Sequence, residues 1–131
     1  MNLANAIIAV DFDGTCVTHE YPAVGKDIGA VPVLRELTDK GAKLILWTMR
    51  SGDGLEDAKE WFRKNNIPLW GANTNPTQHT WSASPKAYAH LYIDDMALGA
   101  PLKRDPLPDS PHTENRPYID WEAVRKILLS V

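Results

Sequence analysis

The sequence predicts a three-layer α/β protein of the Rossmann-like class, built on a central parallel sheet. Three observations lead to this class: short apolar runs alternate with amphipathic segments, the runs are apolar throughout, and they end at Asp or Thr. Continuous apolar runs are typical of strands that are buried on both faces. Strands that alternate with helices imply right-handed crossovers in a parallel sheet. Because 131 residues suffice for one core, we expect a single domain over residues 1–131.

Three segments are predicted to be buried strands. Residues 6–10 and 91–93 are short apolar runs, residues 43–47 carry another at positions 44–47, and each run is followed by a polar residue. Residues 69–72 are a weaker candidate for a further strand. We therefore expect a sheet of four or five strands.

Helices are predicted between these strands. Val31, Leu34 and Leu37 fall on one helical face, which predicts a first helix between the first two strands. Asp53 and Glu56 have the spacing of a capping box ahead of another apolar stripe. We expect the second helix to begin at this pair.

The rest of the chain has weaker patterns. Residues 73–84 are predicted to form a loop, residues 86–89 a short helix, and residues 121–129 a final helix with Asp120 as its N-cap. Residues 99–117 contain five prolines. Their sequence leaves open whether they form a rim of a site, a subunit contact or a disordered loop.

Composition and charge exclude several classes of protein. The formal net charge of -3 disfavours bulk binding to nucleic acid, which needs a basic excess. No apolar run is long enough to cross a bilayer, and the first residues lack the basic end and apolar core of a signal peptide. We therefore expect a cytoplasmic protein without a membrane partner. The single cysteine, Cys16, excludes an intramolecular disulfide.

Two acidic residues directly follow the first predicted strand. Asp11 and Asp13 are separated by Phe12, and Gly14 allows the chain to turn sharply before Thr15. Both carboxylates can therefore face one site. The alternative interpretation is a purely structural turn, since Asp and Gly are common turn residues.

A second acidic pair, Asp94 and Asp95, directly follows the third predicted strand. Crowded carboxylates repel one another unless a cation or a shared proton relieves them. The carboxyl ends of parallel strands meet at one edge of the sheet, so both pairs and Thr48 should converge there. Mg²⁺ prefers oxygen ligands, and Asp11, Asp94 and the backbone carbonyl of Asp13 would suit it.

The order and spacing of these residues resemble the haloacid dehalogenase superfamily of phosphohydrolases. The resemblance is carried by Asp-Phe-Asp-Gly-Thr at residues 11–15, by Thr48, by Lys86 and by the pair at residues 94–95, and it covers nearly the whole chain. It implies a haloacid dehalogenase-like fold and phosphoryl transfer that depends on Mg²⁺.

The resemblance also implies a role for each of these residues. Asp11 would attack phosphorus to form an aspartyl-phosphate, and Asp13 would protonate the leaving oxygen and then activate water. Arg50 is added as a phosphate contact because a guanidinium suits bidentate phosphate binding. The residues expected to contact the phosphoryl group are Thr48, Lys86, Gly14 and Arg50. Those expected to hold Mg²⁺, directly or through water, are Asp11, Asp13, Asp94 and Asp95.

Two comparisons with the superfamily narrow the implied reaction. Members that dehalogenate lack the second aspartate, whereas this chain has Asp13, so hydrolysis of a phosphate monoester is predicted. The connections from Asp13 to Thr48 and from Thr48 to Lys86 are too short for a cap domain. The first of them contains a stretch that we call the flap (residues 16–30). A capless member has an open site, or one that a neighbouring subunit covers in a homo-oligomer, and its expected partner is a phosphorylated small molecule.

Other hypotheses remain at this stage. A nucleotide or polynucleotide-end phosphatase is suggested by the open site, Arg50 and the loop residue Trp81, although the acidic net charge disfavours a long nucleic acid. A non-catalytic phospho-acceptor or binding module is the second alternative. In the flap, His19 and Tyr21 are further candidates for substrate contacts.

Overall fold

The computed structural model describes residues 1–108, 110, 113 and 116–129. In chain order these residues form β1 (Ile7–Val10), α1 (Ala30–Asp39), β2 (Lys43–Leu46), α2 (Gly52–Lys64), β3 (Gly71–Ala72), β4 (Leu91–Ile93), β5 (Leu102–Lys103), β6 (Tyr118–Ile119) and α3 (Trp121–Leu129). A short 3₁₀ helix, Gln78–Thr80, lies between β3 and β4. Within the described ranges, no helix combines the length and apolar character needed to span a bilayer.

The main sheet has four parallel strands in the order β3-β2-β1-β4. β1 pairs with β2 along its whole length, and its residues from Ile8 to Val10 pair with β4. β1 is therefore an interior strand, and the carboxyl ends of all four strands lie at one edge. The predicted class, a three-layer Rossmann-like α/β fold on a parallel sheet, is confirmed. The weak strand candidate at residues 69–72 contributes β3.

Side chains of β1 alternate between two apolar clusters. Ile8 and Val10 belong to a large cluster that also contains the buried residues of all three α-helices. Ala9 belongs to a smaller cluster on the other side, where Ala87 and Ala89 cover it. The irregular segment before β4 thus supplies the third layer.

The short helix predicted at residues 86–89 is wrong, because the structure has no helix there. The side chain of Gln78 explains the difference. Its Oε1 accepts the backbone N–H of Tyr88 at 2.6 Å, and its Nε2 donates to the backbone carbonyl of Lys86 at 2.8 Å. These bonds satisfy backbone groups that a helix would otherwise pair, and they hold the segment against the sheet without a helix.

The N-terminus predicted for helix α3 agrees with the structure, whereas the N-terminus predicted for helix α2 does not. Helix α3 has the predicted bounds, and Asp120 accepts the N–H of Ala123 at 3.2 Å, as expected of an N-cap. The capping box predicted for Asp53 and Glu56 is wrong. Helix α2 begins one residue before Asp53, and its N-cap is Ser51, whose side chain makes no capping hydrogen bond.

The described part of the proline-rich segment at residues 99–117 contacts the flap. Residues 109, 111, 112, 114 and 115 of this segment lie outside the described residues. Its strand β5 pairs with β6 in a two-stranded antiparallel sheet that the sequence did not predict. In β6, the N–H of Ile119 donates to the carbonyl of Gly14 at 3.1 Å. Ser110 donates to the Glu20 carboxylate of the flap at 2.9 Å. The segment therefore forms a wall beside the flap.

Candidate active site

The carboxyl ends of β1, β2 and β4 border one cleft of about 580 Å³. Asp11 directly follows β1, Thr48 lies two residues after β2, and Asp94 directly follows β4. Because β1 lies between β2 and β4, Asp11 has the threonine on one side and the acidic pair on the other. Eight lining residues were predicted to act in the site or to contact the substrate, namely Asp11, Asp13, His19, Tyr21, Thr48, Arg50, Asp94 and Asp95. The other lining residues are Met49, Met96 and Arg116.

Thr15 connects the first acidic motif with the second. Its hydroxyl donates to Oδ2 of Asp11 at 2.8 Å and accepts the backbone N–H of Asp95 at 3.0 Å. The backbone N–H of Asp11 donates to the carbonyl of Ile93 at 2.9 Å. The carbonyl of Thr15 accepts the indole N–H of Trp121 at 2.6 Å. These bonds fix the loop after β1 against both β4 and helix α3.

Asp11, Asp94 and Asp95 form a group of carboxylates that could hold a metal ion. Each offers one oxygen, and these oxygens all lie within 4.8 Å of one another. Carboxylate oxygens are the ligands that hard divalent cations prefer. The three side chains that the sequence placed at the ends of two strands therefore do converge, and their donor atoms fit a cation of this class.

The pKa of Asp11 is raised from 3.8 to about 8. Burial is the largest cause, the negative charge of Asp94 is the next, and the hydrogen bond from Thr15 acts in the opposite direction. The pKa of Asp95 is lowered: burial acts to raise it, but the hydrogen bonds from His19 and Asp11 outweigh that effect. Without a cation, Asp11 thus keeps a proton and shares it with Asp95. A divalent cation among these oxygens would take the place of that proton.

Asp13 is paired with Arg50. The guanidinium donates from Nε to Oδ2 of Asp13 and from Nη2 to Oδ1, both at 2.8 Å. This bidentate geometry belongs to a carboxylate, because both oxygens act as acceptors. The pairing raises the pKa of Arg50 above its ordinary value, chiefly through the hydrogen bond to Asp13. Asp13 lines the cleft but is not in the carboxylate group that surrounds the candidate metal position.

The remaining N–H groups of Arg50 bind backbone carbonyls. Nη2 donates to Ala23 at 2.8 Å, and Nη1 donates to Pro22 at 3.3 Å and to Gly54 at 3.4 Å. Together with the two bonds to Asp13, every one of the five N–H groups of the guanidinium has an acceptor. The predicted phosphate contact of Arg50 therefore finds no free donor in this arrangement.

Two of the other three predicted contacts of the phosphoryl group, Thr48 and Lys86, differ in position. Thr48 lines the cleft, and its hydroxyl oxygen accepts the backbone N–H of Arg50 at 3.1 Å, which leaves the hydroxyl hydrogen available for an anion. Lys86 is exposed and is not among the residues that line the cleft. Its ammonium nitrogen lies 5.3 Å from the centroid of the Tyr92 ring. The structure thus brings Thr48 into the site and leaves Lys86 outside it.

Gly14 makes room for a contact between the flap and the acidic pair. Nε2 of His19 lies 3.2 Å from Oδ2 of Asp95. A Cβ on Gly14 would lie 2.1 Å from Nε2 of His19 and 2.5 Å from Oδ2 of Asp95. Gly14 also has a φ of +82°, in the region that disfavours other residues. The geometry gives Gly14 a steric role beside the carboxylates.

Several residues of the cleft rim were not predicted from the sequence. Met49 is 98% exposed, Met96 is 85% exposed, and Arg116 is also exposed. Among the described residues, the guanidinium of Arg116 has no hydrogen-bond or ion-pair partner. Met49 lies next to Thr48 in the chain and could have been included on that ground. Arg116 belongs to the proline-rich segment and lies two residues before β6, far along the chain from the acidic motifs.

A solved structure from Bacteroides thetaiotaomicron resembles this one. It is described as that of a conserved protein, and the two chains are 36% identical. The match covers 95% of this chain and 90% of the other, with a TM-score of 0.73. No protein-family model matches the sequence, and no curated protein does either. The likeness thus extends far beyond a single motif.

Proposed function

This chain belongs to the same family as the conserved protein of Bacteroides thetaiotaomicron, and we propose that it is a Mg²⁺-dependent phosphohydrolase that cleaves a phosphate monoester through an aspartyl-phosphate. One observation carries the proposal: the carboxyl of Asp11 lies at the end of the interior strand β1, in a group of three carboxylates that could hold a cation. Phosphoryl transfer chiefly requires such charge neutralisation together with positioning.

In the first step, an oxygen of Asp11 attacks phosphorus and the bond from phosphorus to the leaving oxygen breaks. Thr15 orients the attacking carboxylate through the hydrogen bond to its Oδ2. A bound Mg²⁺ would supply the positive charge that keeps Asp11 ionised and offsets the charge of the phosphoryl oxygens. Asp11, Asp94 and Asp95 are the residues that would hold it.

Asp13 serves both halves of the reaction. Its protonated form gives a proton to the leaving oxygen in the first half. In the second half its carboxylate takes a proton from water, the water oxygen attacks phosphorus, and the bond to Asp11 breaks to release inorganic phosphate. The carboxylate form that pairs with Arg50 is the form required for the second half.

Thr48 and Arg116 are the proposed contacts of the substrate. The Thr48 hydroxyl retains a hydrogen for a phosphoryl oxygen, and Arg116 brings an exposed guanidinium to the cleft. A phosphorylated small molecule is the proposed substrate class. A nucleotide is the second candidate, because Tyr21 is 66% exposed at the same cleft and offers an aromatic face to a base.

The test is release of inorganic phosphate from p-nitrophenyl phosphate, phosphorylated sugars, nucleotides and 3'- or 5'-phosphorylated oligonucleotides. We expect release with Mg²⁺ and none with EDTA. Asp11→Asn should lose the activity, whereas Asp39→Asn, at an exposed aspartate in helix α1, should keep it. Equal rates for Asp11→Asn and wild type would reject the proposal. A stable phosphoryl group on the wild-type protein, without turnover, would favour a phospho-acceptor module instead.

A further inference from the structure

Hydrogen bonds hold the edges of the Arg50 guanidinium, and two aromatic rings lie near its faces. The side chain is 1% exposed, and all of its N–H groups have acceptors in Asp13, in the flap or in the first turn of helix α2. Its central carbon lies 5.1 Å from the ring centroid of Phe12 and 5.0 Å from that of Tyr21. A buried cation is stable only with such complete pairing. The guanidinium of Arg50 is therefore held in one position.

Asp13 differs from Arg50 in that it faces the cleft. Its side chain is 20% exposed and lines the cleft beside Asp11. Two parallel hydrogen bonds to a fixed guanidinium restrict rotation of the carboxylate about its last bond. Each carboxylate oxygen also has a second lone pair, which the hydrogen bond from Arg50 does not use. Arg50 thus sets the direction in which Asp13 can exchange a proton.

We infer that Arg50 is a positioning residue for Asp13, and that it acts on proton transfer to the leaving group instead of on binding of the phosphate. The inference rests on the proposed function, because it assigns Arg50 a part in that reaction. The same guanidinium holds the carbonyls of residues 22 and 23, so it also ties the flap to the orientation of Asp13. A ligand of the phosphate would need a free N–H, and each one has an acceptor.

This role makes a prediction about leaving groups. An alkoxide needs a proton as it departs, whereas p-nitrophenolate is stable enough to leave without one. Loss of Asp13 orientation should therefore slow the first step for an alkyl phosphate and leave it nearly unchanged for p-nitrophenyl phosphate. Loss of a phosphate ligand would affect both substrates alike, because both carry the same phosphoryl group.

The experiment compares wild type, Arg50→Lys, Asp13→Asn and the double variant. With enzyme in excess and Mg²⁺ present, single-turnover release of the leaving group isolates the first step from hydrolysis of the aspartyl-phosphate. We expect Arg50→Lys to slow release from an alkyl phosphate by about 10- to 100-fold and from p-nitrophenyl phosphate by less than about threefold. The concentration of substrate at half-maximal rate should stay the same. In the Asp13→Asn background, Arg50→Lys should have little further effect. Arg35→Lys, at an exposed position of helix α1, is the matched control.

A second measurement does not depend on activity. The Nε–H of a guanidinium held in a bidentate pair exchanges slowly, so its ¹⁵N–¹H signal should be present in wild type and absent in Asp13→Asn. If Arg50→Lys does not fold, Arg50→Ala with added guanidinium replaces it, and selective recovery of alkyl phosphate cleavage is expected.

If the wild-type protein is active, two results would overturn the inference about Arg50 without rejecting the proposed function. The first is an equal slowing of both substrates. The second is a weaker apparent affinity with an unchanged maximal rate. If wild type with Mg²⁺ cleaves neither substrate although the Nε–H signal is present, the proposed function and the part of Arg50 in it are both rejected.

Discussion

The hydroxyl of Thr15 accepts the backbone N–H of Asp95 at 3.0 Å and donates to the carboxylate of Asp11 at 2.8 Å. Thr15 is fully buried, and 80 positions separate it from Asp95 in the chain. One side chain therefore fixes the distance between the carboxylates that would act as nucleophile and metal ligand.

Replacement of Thr15 by Val should destabilise the protein and weaken metal binding. Val has nearly the same shape, so the change removes the hydroxyl but leaves the N–H of Asp95 and an oxygen of Asp11 without this partner. An unsatisfied buried group costs about 1–3 kcal/mol of unfolding free energy. Urea denaturation and titration with Mg²⁺ measure the two effects. Thr15→Ser keeps the hydroxyl and should recover most of both; if Val and Ser behave alike, the hydroxyl has no such role.

The main sheet and the centre of the site could be predicted because their signals are local. The strands β1, β2 and β4 are continuous apolar runs, and parallel pairing alone brings the residues after them to one edge. No knowledge of distant contacts is needed to expect that Asp11, Thr48 and Asp94 converge.

The other features depend on contacts between distant parts of the chain. Gln78 replaces a predicted helix at residues 86–89 by binding its backbone, and nothing near those residues in sequence indicates this. Arg50 was assigned to phosphate from its chemistry and its position two residues after Thr48, whereas the acceptors around it come from the first motif, the flap and helix α2. Side-chain partners of this kind have no periodic pattern, so sequence analysis could not find them.

The raised pKa of Asp11 predicts that the metal-free protein becomes less stable as the pH rises. The folded state binds the proton with a pKa of about 8, whereas the ordinary value is 3.8, so the folded state holds more protons between these values. The contribution of Asp11 to the free energy of unfolding is therefore fully present below about pH 4. This contribution is lost as the pH rises through about 8. The melting temperature in EDTA, measured from pH 5 to 9, should fall up to about pH 8 and level off above it as far as Asp11 is concerned, and Asp11→Asn should remove much of the slope.

The same proton should be released when a cation binds. At pH 7 most of the metal-free molecules carry it on Asp11, and a divalent cation at this carboxylate would displace it. Calorimetry with Mg²⁺ in buffers of different ionisation enthalpy should show release of close to one proton per ion. Asp39→Asn should behave as wild type, whereas Asp11→Asn should release none. Binding to wild type without proton release would place the cation elsewhere.

Substitution of Gly14 by Ala should cost more stability than substitution of Gly99. Both glycines have a positive φ, +82° for Gly14 and +86° for Gly99. A Cβ at Gly99 has nothing within 4 Å, whereas a Cβ at Gly14 would overlap His19 and the carboxylate of Asp95. Gly99→Ala thus reports the backbone strain alone, of about 1 kcal/mol, and the excess at Gly14 reports the contact.

Chemical denaturation of both variants gives this excess directly. The double variant Gly14→Ala with His19→Ala removes one of the overlapping groups and should regain part of the loss. Equal losses of stability for the two single variants would mean that only the positive φ requires glycine at position 14. The short distance between His19 and Asp95 would then not depend on the missing side chain of Gly14.

Replacement of Arg116 by Gln should weaken substrate binding with little effect on the maximal rate. The guanidinium lines the cleft on the side of the proline-rich segment, far along the chain from Asp11 and Asp13, and it has no partner among the described residues that the change would leave unpaired. A charge-assisted hydrogen bond to a phosphate is worth about 1.5–3 kcal/mol, which corresponds to a rise of roughly 10- to 150-fold in KM. Steady-state kinetics with Mg²⁺ on the best substrate of the panel measures KM and kcat separately. Arg35→Gln, at an exposed arginine of helix α1, controls for the loss of one positive charge and should leave both constants unchanged. An unchanged KM for Arg116→Gln would exclude this residue from the substrate site, and a fall in kcat alone would assign it to the transition state.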